Sequence, residues 1–235
     1  ELPERFGTAC KGTRAYWQLV REGGLLDKLE FEPNGLRALF VLVLPPYQIY
    51  MTKGRDLVSL ESFKGKKIRT TGGAKEIAVR KIAAVPVQIP TPEVREAASR
   101  GTIDGFLFPH SSIAPYDLAR LSSAATTGEN FGSFVVTYSM SRQKWNALPA
   151  DLRKVIDEVG NEIVAAGCAA SDAQDVSEIE KIKAAGVKMV KLPEADSKKV
   201  QALMSEVGKE WAAGLDQRGR KGSEVLEAFQ EALAK

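Results

Sequence analysis

Histidine and cysteine are almost missing from this chain. Its 235 residues include one histidine, His110, and two cysteines, Cys10 and Cys168. Neither CxxC nor HExxH occurs, which removes the common zinc motifs. A Ser-His-Asp hydrolase would have to use His110 as its base, and no G-x-S-x-G accompanies it. The phosphate loop G-x-x-x-x-G-K-[ST] and the dinucleotide turn G-x-G-x-x-G are absent as well. No metal, no cofactor and no catalytic residue is therefore expected. The two cysteines can pair in an oxidising compartment, but sequence alone cannot bring them together. Two buried free thiols are the blander expectation.

Long apolar runs are missing too. The longest is "ALFVLVL", Ala38 to Leu44, against the roughly 20 residues that a membrane-spanning helix needs. It reads as a buried strand, and no direct membrane insertion is expected. The chain opens on "ELPERFG", with neither an initiator methionine nor a basic-then-apolar leader, so it reads as processed or truncated. Charge of one sign is also lacking: 33 basic residues face 30 acidic ones, for a net +3. The two signs are interleaved, which argues against a nucleic-acid partner. What is present is 44% apolar residues and 27% charged ones, the balance of a globular domain with a real core. No internal repeat or low-complexity tract interrupts it.

Periodicity then lays out the elements. "TRAYWQLVREGG" is helical up to a glycine stop, and "LRALFVLVL" is a buried strand ended by Pro45-Pro46. "YQIYMTK" and "KKIRTT" read as strands, and Gly72-Gly73 opens the helix "AKEIAVRKIAA". "PVQIP" is a short strand. In "TPEVREAASRG", Thr91 suits an N-cap, Pro92 the first helical position and Gly101 the C-cap. "TIDGFLFP" is a strand with Asp104, Phe106 and Phe108 at period two. Strand, helix, strand, helix, strand in that order implies a parallel sheet and an α/β fold. "FGSFVVTYSMS" is a further strand. A helical pattern then runs from about Pro149 to Gly186, with Leu152, Val155, Ile156, Val159, Ile163 and Val164 as its apolar stripe. Gly160 and Gly167 are its expected bend sites. "GVKMVKLP" is one more strand, and two helices close the chain.

"FKGKKIRTTGG", Phe63 to Gly73, is the densest candidate site. Lys64, Lys66 and Lys67 read as a solvated basic strand edge. Arg69 differs, because it falls at the C-terminal end of an expected parallel strand, the edge where open α/β sheets bind ligands. Its guanidinium can grip a carboxylate through two parallel hydrogen bonds, as lysine cannot.

Four segments in order, "SLESFKGKKIRT", "PTPEVREAASRGTIDGFLFP", "WNALPADLRKVIDEV" and "IEKIKAAGVKMVKL", resemble the DctP family. These are the solute-binding proteins of tripartite ATP-independent periplasmic (TRAP) transporters. The resemblance implies a two-lobed, periplasmic-binding-protein-like α/β fold, type II-like, with mostly parallel sheets and a long helix spanning both lobes. Lobe I would be residues 1–46 and 134–173, and lobe II residues 47–133 and 174–235. Family members begin with further strands and helices, so lobe I is expected to be incomplete.

The resemblance makes Arg69 the carboxylate-binding arginine. Phe108 stands where the family carries an asparagine and Phe106 where it carries a glutamine, so a more apolar pocket is expected. Phe131 and Phe134 fall at further contact positions. Thr91 is either a contact or a helix cap, and Glu93 complements the helix dipole. His110 and Tyr116 read equally as surface or site.

The implied function is capture of an organic acid in a periplasmic cleft and its delivery to the membrane subunits of a TRAP transporter, with no chemistry done on the ligand. The phenylalanines favour a monocarboxylate with an apolar or aromatic body. The rival readings are a binding protein of an ATP-driven importer, an α/β enzyme acting on a small carboxylate, and a purely structural module.

Overall fold

The computed structural model describes residues 2–3 and 5–235. Along the chain come helix α1 (Ala9–Val20), strands β1 (Leu36–Val43), β2 (Gln48–Thr52) and β3 (Lys67–Thr70), and helix α2 (Ala74–Lys81). Strand β4 (Val85–Gln88), helix α3 (Val94–Ser99) and strands β5 (Gly105–Phe108), β6 (Ser122–Thr126) and β7 (Val135–Ser141) follow. Helices α4 (Arg142–Ala147) and α5 (Ala150–Ala184), strand β8 (Lys188–Val190) and helices α6 (Glu194–Asp216) and α7 (Gly222–Ala234) complete it.

These elements divide into two compact units. The first comprises Pro45–Ser133 and Ala173–Trp211, with the N-terminal residues up to Gly7. The second comprises Thr8–Leu44, Phe134–Asp172 and Ala212–Lys235. This departs from the expected division at both ends of the chain. Residues 212–235 were expected in lobe II, yet α7 packs against α1 in the second unit and buries Leu226, Phe229 and Ala232.

The first unit is built on a six-stranded sheet in the order β4-β3-β5-β2-β6-β8. β3 is parallel to β4 and β5, and β6 is parallel to β8. β2 runs against both of its neighbours. All five of its residues are buried, as suits a strand covered on both faces. Gly105 is required where β5 meets β2, because a Cβ there would press on the Tyr50 carbonyl and the Ile68 side chain. Beside it, the Asp104 carboxylate accepts from the Lys67 amide at 2.9 Å and from Arg55 at 2.6 Å. The core of this unit gathers Tyr50, Val94, Ile103, Phe106, Phe108, Ile113 and Leu118.

In the second unit β1 and β7 form an antiparallel pair. Val20, Ala38, Val41 and Val164 form its core, with Tyr16, Trp17 and Phe40 packed around them. α5 runs without interruption through Gly160 and Gly167. They let it lie close to β1: a Cβ at Gly160 would collide with the Leu39 carbonyl, and one at Gly167 would meet the Leu42 side chain at 3.0 Å. The expected apolar stripe of α5 is only partly covered, since Leu152, Val155 and Val159 are exposed while Val164 is buried.

The cysteines also overturn expectation. Cys10 and Cys168 form a disulfide across 158 residues of sequence, joining α1 to α5. Asp172, one turn further along α5, accepts from the Ala9 and Cys10 amides at 2.6 and 3.2 Å. A carboxylate at those otherwise orphaned N–H groups complements the helix dipole. Disulfide and carboxylate thus fasten the same end of α1.

Candidate ligand-binding site

Arg69 lies in β3 between β4 and β5, in register with Val87 and Phe106. The glycine pair after it is needed for the turn into α2, since Gly72 and Gly73 have φ of 84° and 62°, a region that glycine enters without strain. Arg69 is 1% exposed. Its Nε donates to the Ile89 carbonyl at 2.8 Å and its Nη2 to the Thr91 hydroxyl at 2.9 Å. Its guanidinium carbon sits 4.8 Å from the centre of the Phe108 ring. Among the described residues no carboxylate lies within ion-pair distance of it. Burial lowers its pKa to about 10, with the Tyr47 and Tyr116 phenols acting in the opposite sense. It remains a cation at neutral pH, held by two neutral oxygens and a ring face.

Phe108 is the hub. Tyr47 stacks on it at 6.3 Å and 7°, Tyr116 leans on it at 5.7 Å and 49°, and Phe106 meets it edge-on at 5.9 Å. Such offset and edge arrangements are the favoured aromatic geometries. Behind them Phe106 stacks on Tyr50 at 5.5 Å. The Tyr50 hydroxyl and Nδ1 of His110 share a hydrogen bond at 2.5 Å. Burial lowers the His110 pKa to about 4, so the ring is neutral. Burial, and then Asp175, raise the Tyr50 pKa.

The expected site residues therefore separate. Arg69, Thr91 and Phe108 are brought together. Thr91 opens a short 3-10 turn and caps no helix; its hydroxyl accepts from Arg69. Phe106 forms the buried layer behind Phe108 and is 0% exposed. Phe131 is buried against Phe63 at 6.3 Å, and its amide donates to the Tyr47 carbonyl at 3.2 Å. Phe134 belongs to the second unit, where its carbonyl accepts from the Leu44 amide at 2.8 Å. His110 is interior, not surface, and holds up the aromatic layer.

Two side chains near the site, Tyr47 and Lys75, were not singled out as ligand contacts, and Tyr116 had been left open between surface and site. Lys75 is fully buried in the first turn of α2, donates to the Ser133 carbonyl at 2.8 Å and sits 5.4 Å from the Tyr47 ring centre. Tyr47 follows Pro45-Pro46 at the mouth of β2, where an aromatic in "PPYQIY" was the available signal. Among the described residues no cluster of acidic, histidine and cysteine side chains could hold a metal, and no helix is long and apolar enough to cross a membrane.

Comparison with known proteins follows the same lines. The profile of DctP, bacterial extracellular solute-binding protein, family 7, matches residues 16–214. The chain is 25% identical over 206 residues to a protein of Comamonas testosteroni described as outer membrane transporter protein TsaT, covering 86% of this chain and 60% of that one. Overall it spans between about a half and three fifths of the length of the curated relatives it matches.

Among solved structures it is similar to a marine-metagenome TRAP solute-binding protein specific for aromatic acid ligands, in complex with metahydroxyphenylacetate. The TM-score is 0.88 at 22% identity, covering 100% of this chain and 73% of that one. It is also similar to a TRAP solute-binding protein of Rhodoferax ferrireducens with copurified benzoate, at TM-score 0.87 and 23% identity, covering 100% of this chain and 72% of that one. With 199 of 235 residues inside the profile match, the chain belongs to the DctP family of bacterial extracellular solute-binding proteins.

Proposed function

We propose that this protein captures an organic acid by its carboxylate and delivers it to the membrane subunits of a TRAP transporter. One observation carries the reading: Arg69 is a buried cation without a carboxylate partner among the described residues. A buried charge is costly unless it is paired, and a ligand carboxylate would complete the pair. Neutral acceptors fix the fork in place before the ligand arrives, which reduces the ordering that binding must impose. The aromatic surroundings of Phe108 suit a ligand with an apolar body and one acid group. Nothing in the arrangement supplies a nucleophile with its base, so the ligand leaves as it came. The Cys10–Cys168 disulfide fits an oxidising compartment such as the periplasm.

The test is calorimetric titration of the protein with benzoate, mandelate, malonate and succinate, each with and without Arg69→Ala. At least one acid should bind to the wild type and lose measurable affinity in the variant. Equal affinity in both proteins would exclude Arg69 as the carboxylate site. Turnover of any bound acid would favour the enzyme reading.

A further inference from the structure

Tyr116 is an exposed aromatic ring in an unusual setting. Tyr116 is 37% exposed, while the residues that frame its turn are fixed. Ile113 and Leu118 are both fully buried. The Leu118 amide donates to the Ile113 carbonyl at 3.1 Å, and the Asp117 amide donates to the Ala114 carbonyl at 3.0 Å. Asp117 takes a φ of 50°, a left-handed conformation that aspartate tolerates better than most residues. Its carboxylate pairs with Arg95 at 3.1 Å. The turn therefore fixes the backbone that carries Tyr116. The ring leans on Phe108, whose ring carries the Arg69 guanidinium. The Tyr116 phenol is also near enough to Arg69 to favour the cation.

We propose that Tyr116 is a ligand-binding, specificity-determining residue. Its ring forms the exposed wall against which the body of an Arg69-held carboxylate packs, and it selects aryl monocarboxylates over saturated acids of the same size. The assignment rests on the carboxylate-binding reading above and sharpens it. An aromatic wall discriminates because a ligand ring can stack or meet it edge-on, and a saturated ring gains only burial. More than a third of Tyr116 is presented to solvent, and a ligand ring would cover that exposed part. Tyr47, by contrast, is buried and stacks on the same hub, and serves as its support.

The experiment is calorimetry of wild type, Tyr116→Leu, Tyr116→Phe and Arg69→Ala with two probes, benzoate and cyclohexanecarboxylate. Wild type should prefer benzoate. Tyr116→Leu should weaken benzoate by about three- to tenfold and move cyclohexanecarboxylate less than about twofold. Tyr116→Phe, which keeps the ring, should retain the wild-type preference.

A leucine variant with an unchanged preference overturns the assignment, as does equal loss of both acids. If Arg69→Ala loses benzoate while Tyr116→Leu does not, the Tyr116 assignment alone fails. If benzoate binds equally to wild type and Arg69→Ala, the carboxylate reading fails and the assignment falls with it. Wild type that binds neither probe overturns the aryl class.

Discussion

Each unit buries an arginine against an aromatic ring, and the two are treated in opposite ways. Arg37, in the second unit, is 6% exposed and lies 4.1 Å from the centre of the Trp145 ring. It donates to Glu22 and, at 2.8 Å, to Asp157. Burial works against its charge, but the hydrogen bonds and charges of Glu22 and Asp157 outweigh it and raise its pKa. Arg69, in the first unit, is as deeply buried and has a ring beneath it, but only neutral oxygens as acceptors. Its pKa falls to about 10. Burial of a guanidinium is thus no mark of a site. The missing counter-charge is, because an already neutralised arginine has little left to offer an anion.

Exchanging the roles of the two arginines is the strongest way to break the comparison. Arg69→Ala should cost the ligand roughly 2–5 kcal/mol, some tens- to thousands-fold in affinity. The fold should persist, since the change removes a buried charge that lacks an acidic partner. Arg37→Ala should leave affinity unchanged and lower stability by roughly 1–3 kcal/mol. That is below the value for a fully buried pair, because the Glu22 and Asp157 side chains are 63% and 46% exposed. Calorimetry and urea unfolding on both variants check the pair. Lost affinity in the Arg37 variant, or an unfolded Arg69 variant, would end the distinction.

The disulfide gives a second contrast, because it lies wholly within the second unit. Replacing Cys10 and Cys168 by alanine should cost about 2–5 kcal/mol of stability. Ligand affinity in the folded protein should hold, since both cysteines belong to the second unit and Arg69 to the first. Urea unfolding of the double variant, followed by titration below the transition, reads both quantities. A loss of affinity at full folding would tie the disulfide to the site.

These contrasts also separate what was legible in sequence from what was not. α1, β1 and α5 were readable because a long apolar period leaves little choice of element. β6 was not, because "SSAAT" carries no aliphatic or aromatic signal and is a strand only through β2 and β8 beside it. The reversal of β2 was equally hidden, since strand direction is set by the path of the chain between strands. The close approach of Gly160 and Gly167 to β1 was hidden too, because a helical glycine shows its neighbour only once the strand beside it is in place. The disulfide needed two residues 158 positions apart to meet. At the site, Arg69 and Phe108 were named from strand position and family resemblance together. Thr91 was left between cap and contact until its hydroxyl could be traced to Arg69. Tyr116 sits outside any periodic segment, where nothing in sequence tells a wall from a surface ring, and Tyr47 opens an alternating strand whose period does not show which faces bind.

The first unit should also be the acid-sensitive one. His110 is 4% exposed, and its neutral form shares a hydrogen bond with Tyr50, with Asp175 accepting from the neighbouring Ser111 amide at 2.8 Å. The unfolded chain takes up a proton near the ordinary pKa of about 6.5, whereas the folded protein resists until about 4. The unfolded state therefore binds more protons across that window, and stability falls as pH drops through it. The loss at pH 4 should be on the order of 3 kcal/mol at most. His110→Gln keeps a hydrogen-bond partner for Tyr50 and removes the titration, so its stability should be flatter from pH 6.5 to 4. A wild-type profile that is flat over that window would show that His110 is not protonated on unfolding.

The smallest effect expected is at Thr91, and it sharpens the arginine comparison most finely. If Arg69 is held ready by neutral acceptors, removing one should loosen the fork without removing its charge. Thr91→Val keeps the shape of the side chain and deletes the oxygen that accepts from Nη2 at 2.9 Å. A single such hydrogen bond contributes about 0.5–1.5 kcal/mol, so affinity should fall by about two- to tenfold. Thr91→Ser, which keeps the oxygen, should stay close to wild type. The opposite result is just as informative: tighter binding in the valine variant would mean that Thr91 competes with the ligand for the same donor. In that case the neutral partners of Arg69 would be placeholders displaced on binding, and not the frame that aims it.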